Sequence, residues 1–220
     1  MSLARAGPDT ALDAILRRGP VIPVVTIDDP GVAVPLARAL RAGGIEVIEV
    51  ALRTPGACAA IERIRAEVPQ MIVGAGTVRG PEQLAKVARL GVAFAATPGI
   101  TPRLLAAAAA SPVPVLFGIA SASEAMLLLE HGRSVAKFFP AESCGGPEAL
   151  RTFAGPFPDL RFCPTGGIGP DTAPLYLALP NVLCVGGSWL APRDALAAGD
   201  WARITDLARA ATTLASEKER

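Results

Sequence analysis

Lysine is scarce in this chain, and one lysine interrupts an apolar run. The sequence holds three lysines among 21 basic residues. Lys86 falls on a helical pattern and Lys218 in the charged tail, whereas Lys137 stands within VAKFF. Loss of hydration favours the neutral amine, which can attack a ketone and form a Schiff base. The structural alternatives for Lys137 are a snorkelling side chain at a strand end and an ion-pair partner.

Glu49 is the second residue that could do chemistry. In the run IEVIEVA, Ile45, Val47 and Glu49 alternate onto one face of the expected strand. A carboxylate that is partly withdrawn from water can donate and accept protons near neutral pH. The structural alternative is a salt bridge to Arg53 or Lys137, and a carboxylate in such a pair can still relay protons.

Eight short apolar runs, which recur about every 20 to 25 residues, must position these side chains. Apolar strands that alternate with helices are typical of a parallel sheet covered on both faces. Eight such units favour a closed (β/α)8 TIM barrel over an open doubly wound sheet. The runs are VIPVVTI (21–27), IEVIEVA (45–51), MIVGAG (71–76), VAFAA (92–96), VPVLFG (113–118), VAKFF (135–139), RFCPT (161–165) and VLCVGG (182–187).

Helical patterns separate these runs. They are predicted over 32–41, 81–90, 101–110 and 123–130, with an extra N-terminal helix over 10–18 and a closing helix over 201–215. His131, followed by Gly132, is predicted to end a helix, where a cation complements the helix dipole. We predict one domain over 1–220, with its ordered barrel core over about 9–215.

The composition argues against several classes of protein. A net charge of +1, without long blocks of one sign, is not that of a nucleic-acid binder or a polybasic membrane binder. No stretch reaches the roughly 18 apolar residues of a membrane span, and no signal peptide is recognisable, so we expect a cytoplasmic protein. Four dispersed cysteines and a single histidine make zinc sites and triads unexpected, and no cofactor is predicted.

In a barrel of this kind, functional residues belong at the C-terminal ends of the strands. Arg53 after the second strand and Thr77 after the third offer hydrogen-bond donors that suit a carboxylate. Two glycine pairs follow the seventh and eighth strands, where barrels commonly bind phosphate: Gly166-Gly167 and Gly186-Gly187, the latter followed by Ser188. A surface arginine and ordinary tight turns are the structural alternatives. We infer a phosphorylated small molecule as the substrate.

Taken together, these residues resemble the bacterial 2-dehydro-3-deoxy-phosphogluconate (KDPG) aldolases, which also act on 4-hydroxy-2-oxoglutarate. The motifs that carry the resemblance are EVALRT (49–54), VGAGTV (73–78), FAATPGIT (94–101), KFFPAE (137–142), FCPTGGI (162–168) and CVGGSWL (184–190). The resemblance covers nearly the whole chain. It implies a class I aldolase on a (β/α)8 barrel, assembled as a homotrimer and using no metal.

The resemblance also implies roles for single residues. Lys137 would be the Schiff-base lysine and Glu49 the general acid and base. Arg53 and Thr77 would hold the pyruvyl carboxylate, and Thr165 would face the substrate hydroxyls. The remaining substrate-binding positions are Gly166, Gly167, Gly187 and Ser188 in the phosphate loops and Pro98 and Phe139 in the pocket wall.

The predicted reaction is cleavage of KDPG to pyruvate and glyceraldehyde 3-phosphate, and of 4-hydroxy-2-oxoglutarate to pyruvate and glyoxylate. Phe117 and Ala120 stand where the family commonly has Pro and Ser, which bears on substrate preference rather than on the reaction.

Two alternative functions stay open. A metal-dependent phosphosugar epimerase or isomerase would need carboxylate and histidine ligands. A non-catalytic phosphometabolite-binding barrel would not need Lys137 and Glu49.

Overall fold

Strands alternate with helices along the chain in the computed structural model, which describes residues 8–214. Within that range the strands are β1 (Val21–Val25), β2 (Val47–Ala51), β3 (Ile72–Gly76), β4 (Phe94–Ala96), β5 (Val115–Ile119), β6 (Val135–Phe138), β7 (Arg161–Phe162) and β8 (Val185–Gly187). The helices are α1 (Pro8–Leu16), α2 (Ala33–Ala42), α3 (Ala57–Glu67), α4 (Pro81–Arg89), α5 (Pro102–Ala109), α6 (Ala122–Glu130), α7 (Gly146–Ala154), α8 (Ala173–Leu177), α9 (Arg193–Ala198) and α10 (Trp201–Thr212). A helix therefore connects each strand to the next.

The sheet closes on itself. Its strand order is β7-β6-β5-β4-β3-β2-β1-β8, and every pairing is parallel. The β7 and β8 ends of this order are joined by two further parallel bridges, Phe162 with Val182 and Thr165 with Gly186. The predicted (β/α)8 barrel with an extra N-terminal helix is confirmed.

Each predicted apolar run overlaps one strand, and each strand is shorter than its run. The difference is largest for the runs over 182–187 and 161–165, and within the second of these β7 spans only Arg161–Phe162. Beyond that strand, the backbone amides of Cys163 and Thr165 still donate hydrogen bonds to β6. The chain therefore continues along β6 in a less regular ladder.

The predicted helices are confirmed, with ends shifted by a few residues. The closing helix α10 ends at Thr212, and position 215 lies outside the described residues. His131 ends α6 as predicted, because its Nδ1 lies 2.9 Å from the Leu127 carbonyl oxygen and Gly132 follows with a φ of +66°. Over residues 8–214, no helix combines the length and the apolar character needed to cross a membrane.

Helix α1 closes the N-terminal end of the barrel. Its Leu12 and Leu16 are fully buried and pack against an interior apolar layer. The side chains of that layer are Ile22, Val47, Phe94, Ala96, Leu116, Val135, Cys163 and Cys184. A second, larger core fills the space between the strands and the surrounding helices.

Asp9 fastens α1 to the start of β6. Its carboxylate accepts hydrogen bonds from the Ser134 backbone amide and, at 3.1 Å, from the Ser134 hydroxyl. Arg133 Nη1 lies 3.6 Å from the other carboxylate oxygen, and both of these charged side chains are largely buried. One side chain of α1 thus accepts hydrogen bonds from the amide and hydroxyl of Ser134 and forms an ion pair with Arg133 where the chain enters the sixth strand.

Candidate active site

Lys137 and Glu49 form an ion pair inside the barrel. Lys137 Nζ lies 2.8 Å from Glu49 Oε1 and 3.1 Å from Oε2. The two residues are only 5% and 4% exposed, so solvent screens this contact little. The ion pair considered as a structural alternative is therefore present. The same contact places the amine beside a group that can exchange a proton with it.

Strand alternation brings these two side chains together. Val135 of β6 and Val47 of β2 belong to the interior layer on which α1 packs. Lys137 and Glu49 lie two residues further along the same strands and therefore on the same face. The ion pair occupies the next interior layer, towards the strand ends at which (β/α)8 enzymes carry out their chemistry.

Gly76 of β3 leaves the space that the Glu49 carboxylate occupies. A Cβ atom at Gly76 would lie 2.1 Å from Glu49 Oε1 and 2.7 Å from Cδ, so any other residue would displace the carboxylate. Gly76 is absent from the predicted site. The signal for it is the alternation along VGAGTV, which puts Gly74 and Gly76 on one face of the strand.

The Phe139 ring covers the buried lysine. Lys137 Nζ lies 5.7 Å from the centroid of this ring, within the range of a cation–π contact. Phe139 also lines the neighbouring cavity. Its ring therefore contacts both the lysine and the cavity, as expected for a residue of the pocket wall.

Arg53 and Thr77 contact each other at the ends of β2 and β3. Arg53 Nε donates a hydrogen bond to Thr77 Oγ1 at 3.1 Å. Thr77 has a φ of +60°, which is uncommon for a β-branched residue. The two terminal amino groups of Arg53 make no hydrogen bond to any residue within 8–214, which leaves a planar fork for a ligand carboxylate.

A cavity of about 630 Å³ lies at the C-terminal ends of the strands, beside β7 and β8. This volume is in the range of small-molecule sites. Its lining combines the residues predicted for the carboxylate and for the phosphate. The predicted residues that line it are Arg53, Phe139, Thr165, Gly166, Gly167 and Ser188.

The other predicted residues do not line this cavity. Lys137 lies 5.7 Å from the Phe139 ring centroid, and Thr77 accepts a hydrogen bond from Arg53, and both Phe139 and Arg53 line the cavity. Lys137 and Thr77 are therefore each in contact with a residue of the cavity wall.

Pro98 and Gly187 have mainly steric roles in this structure. Pro98 is exposed in the loop after β4, and a Cβ on Gly118 of β5 would lie 2.5 Å from its carbonyl carbon. Gly187 is in β8, where a Cβ would lie 1.8 Å from Trp189 Cζ3. Trp189 lines the cavity and is absent from the predicted site, although it follows the glycine pair in CVGGSWL.

The glycine turn after β7 needs its glycines. Gly166 and Gly167 have φ angles of +105° and +82°, a region that other residues rarely adopt. A Cβ on Gly167 would also lie 2.7 Å from Glu142 Cγ.

The Glu142 carboxylate accepts a hydrogen bond of 2.7 Å from the Tyr176 hydroxyl, and burial together with this bond raises the pKa of Tyr176.

Two buried thiols lie in the interior layer below the ion pair. Cys184 Sγ donates a hydrogen bond to Cys163 Sγ at 3.6 Å, and Cys163 Sγ lies 3.9 Å from Thr165 Oγ1. The hydrogen bond from Cys184 lowers the pKa of Cys163, and donating it raises the pKa of Cys184. Both residues are buried and unlinked, so they pack as small apolar side chains.

A buried lysine paired with a carboxylate in a parallel (β/α)8 barrel, beside a cavity with anion-binding groups, defines an aldolase that works through a Schiff base. Comparison with known proteins identifies the family. Residues 12–207 match the family model for KDPG and KHG aldolase. The chain belongs to the KDPG and KHG aldolase family, and it is a class I aldolase.

Similar proteins cover almost the whole chain. The KHG/KDPG aldolase of Escherichia coli (strain K12) is 54% identical over 202 residues, which are 92% of this chain and 95% of that protein. The 2-dehydro-3-deoxy-phosphogluconate aldolase of Pseudomonas aeruginosa is 46% identical over 209 residues, 95% of each chain. A crystal structure of the Legionella pneumophila KDPG aldolase, with pyruvate captured as a covalent carbinolamine, has a TM-score of 0.90 and 44% identity, and the match covers 95% of this chain and all of that one.

Proposed function

We propose that this chain cleaves 2-dehydro-3-deoxy-6-phosphogluconate to pyruvate and glyceraldehyde 3-phosphate, and 4-hydroxy-2-oxoglutarate to pyruvate and glyoxylate. The observation that carries the proposal is the buried contact of 2.8 Å between Lys137 Nζ and Glu49 Oε1. Both substrates have a ketone at C2 and a hydroxyl at C4, which are the two groups that an amine and a carboxylate must reach. The family to which the chain belongs supports the same reaction.

Lys137 begins the reaction. Transfer of one proton from Nζ to Glu49 leaves a neutral amine, whose lone pair forms a bond to C2 of the substrate. Glu49 then gives this proton to the C2 oxygen, which leaves as water, so that an iminium ion on Lys137 and a Glu49 carboxylate remain. When the C3–C4 bond breaks, its electron pair moves to C3 and onto the iminium nitrogen, so that an enamine forms on Lys137.

Glu49 moves the protons. As a carboxylate it removes the proton of the C4 hydroxyl, directly or through one water, while the C3–C4 bond breaks and the aldehyde is released. The protonated carboxyl then returns a proton to C3 of the enamine. Addition of water at C2 releases pyruvate and restores the lysine, so atoms and charges balance over the cycle.

The remaining site residues hold the two ends of the substrate. Arg53, oriented by Thr77, binds the carboxylate that both substrates carry next to the ketone. Thr165 contacts the substrate hydroxyls, and Phe139 completes the wall. The phosphate is held by Gly166, Gly167 and Ser188, through backbone amides and one hydroxyl, while Gly187 leaves room for the Trp189 ring.

The alternatives receive less support. A metal-dependent epimerase would need a set of carboxylate and histidine ligands. Residues 8–214 contain no group of three or more His, Cys, Asp or Glu side chains that could hold a metal ion. A non-catalytic binding barrel would give no reason for an ion pair buried at the floor of the site. In the proposed reaction the chemistry is carried by Lys137 and Glu49.

The proposal extends to assembly and location. We propose a homotrimer in the cytoplasm, on the strength of the resemblance to the bacterial KDPG aldolases. Light scattering coupled to size-exclusion chromatography measures the assembly, and a monomer or dimer mass would overturn it.

Pyruvate release tests the reaction. Each substrate is incubated with the protein, and pyruvate is followed by NADH oxidation with lactate dehydrogenase. We expect both substrates to yield pyruvate, and Lys137→Met to abolish the signal. Lys86→Met, which changes an exposed lysine of α4, is the matched control and should leave the rate unchanged. Absence of pyruvate from both substrates with the unmodified chain would overturn the proposed function.

A further inference from the structure

The cavity carries positive charge at two separate places. Its lining includes two arginines, Arg53 and Arg193, and no carboxylate. Arg53 follows β2 and is linked to Thr77. Arg193 begins α9, five positions after Ser188 in the chain. The second arginine therefore belongs to the part of the rim formed after β8.

Arg193 is not committed to another protein group. Its side chain is exposed and makes no hydrogen bond or ion pair with any residue of the described range 8–214. Most other arginines near it in sequence are engaged, as Arg203 and Arg209 are with acidic partners. An arginine at the rim of a cavity without such a partner is available to a ligand.

The neighbouring carboxylate does not neutralise Arg193. Asp194 Oδ2 accepts a hydrogen bond of 2.6 Å from Arg203 Nη1, and this bond lowers the pKa of Asp194. Consecutive residues on a helix point in different directions, so Asp194 and Arg193 do not face each other. The positive charge at this rim of the cavity is left uncompensated.

The charges of the substrate match this arrangement. The six-carbon substrate carries one carboxylate at one end and a phosphate of charge near −2 at the other. Arg53 supplies one cation for the carboxylate. The glycine turn and Ser188 offer hydrogen bonds to the phosphate but no charge, and no other cation lines this end of the cavity.

We propose that Arg193 is a specificity-determining residue, which binds the phosphate dianion and so favours the phosphorylated six-carbon substrate over 4-hydroxy-2-oxoglutarate. This assignment rests on the proposed function and adds a residue to it. A guanidinium pairs with phosphate oxygens through two parallel N–H groups. Pro192 and Leu196, which line the cavity beside it, offer apolar surface to its aliphatic stem.

Substitution of Arg193 tests the assignment through the two substrates. In Arg193→Ala we expect kcat/KM for the phosphorylated substrate to fall about 10-fold, mainly through KM, because a partly solvated charge-assisted contact is lost. The value for 4-hydroxy-2-oxoglutarate should stay within about two-fold, because it has no phosphate. Arg193→Lys should recover part of the loss, since the charge is kept and the fork is not.

The matched control removes an arginine that lies outside the cavity. Arg209→Ala takes one positive charge from the exposed face of α10, where Arg209 pairs only with Asp206. Its kinetics should equal those of the unmodified chain. The defect of Arg193→Ala should also shrink when ionic strength rises from about 0.05 M to about 0.5 M, because salt screens a contact at the rim.

A binding measurement separates this inference from the proposed function. Inorganic phosphate is titrated into the unmodified chain and into Arg193→Ala by calorimetry, with no substrate turnover. We expect the affinity for phosphate to be about 10-fold weaker in the variant. If the unmodified chain cleaves neither substrate, the proposed function fails and this titration alone decides on Arg193. Equal phosphate affinities, or equal kinetic losses on both substrates, would overturn the assignment.

Discussion

The amine of Lys137 and the carboxylate of Glu49 meet from strands that are not neighbours in the barrel, with Nζ 2.8 Å and 3.1 Å from the two oxygens. Strands β3, β4 and β5 lie between β2 and β6 in the sheet order. Their contact therefore crosses the barrel interior and needs the complete curvature of the sheet. Chemistry that depends on this pair depends on closure of the barrel.

Trapping with borohydride tests the Schiff base directly. Pyruvate and borohydride together should add a stable mass to one peptide, the one that contains Lys137, because its amine is the one buried beside an acid. Mass spectrometry of the intact chain and of its peptides measures the label. A label that maps to the exposed Lys86, or that persists in Lys137→Ala, would contradict the assignment.

Replacing Glu49 tests the proton transfers. We expect Glu49→Gln to lower kcat by about 100- to 10,000-fold, the usual contribution of a general acid and base. Circular dichroism and thermal unfolding serve as the control for folding, because the change leaves the buried Lys137 without its ion-pair partner. A folded Glu49→Gln chain with unchanged kcat would show that another group moves the proton.

The two ends of the substrate are separable by mutation. Ser188→Ala should weaken kcat/KM for the phosphorylated substrate by about 1–3 kcal/mol and leave 4-hydroxy-2-oxoglutarate nearly unaffected. Arg53→Ala should impair both substrates, because both carry the carboxylate next to the ketone. Steady-state kinetics with both substrates measures the difference. If Ser188→Ala costs both substrates equally, the loop shapes the opening of the cavity and does not bind phosphate.

Metal removal should have no effect on activity. The proposed reaction uses an amine and a carboxylate, and no group of metal-ligating side chains is found within residues 8–214. Prolonged dialysis against EDTA, followed by the pyruvate-release assay, measures this. Activity that is lost and then restored by a divalent ion would favour the epimerase or a metal-dependent aldolase instead.

Asp9 should contribute to stability rather than to chemistry. In Asp9→Ala the Ser134 amide loses its hydrogen-bond acceptor and the Arg133 guanidinium loses its ion-pair partner, so the free energy of unfolding should fall by about 1–3 kcal/mol. Asp13→Ala is the control, since its pair with Arg17 is an exposed contact within one helix and should cost less than about 0.5 kcal/mol. Urea unfolding measures both, and equal values would mean that Asp9 does not fasten α1.

Much of the fold follows from local pattern. Strands buried on both faces must be apolar along their whole length, so the eight runs are visible in the sequence. Their ends are less predictable, because the ladder between neighbouring strands decides where a strand stops. The short β7, with Cys163 and Thr165 still bonded to β6 beyond its end, shows this clearly.

Some residues of the site can likewise be predicted from the sequence, and others cannot. Lys137 and Glu49 are recognisable because a charge in an apolar strand stands out and alternation assigns its face. Arg193 gives no such signal, since it is one of many arginines and its place at the cavity depends on how the chain turns after β8. The role of Gly76 is partly predictable from the sequence. Alternation shows which face of β3 it occupies, but its close approach to the Glu49 carboxylate is visible only in the structure.

Leu12 and Leu16 of α1 fill the N-terminal end of the barrel interior, and the cavity lies at the opposite, C-terminal ends of the strands. In the proposed reaction pyruvate stays covalently joined to Lys137 after the C3–C4 bond breaks. The aldehyde has no covalent bond to the protein and departs first. Product release is therefore ordered, with the aldehyde leaving before pyruvate. Added aldehyde should bind to the enzyme that carries covalently bound pyruvate, whereas added pyruvate should bind to the free enzyme.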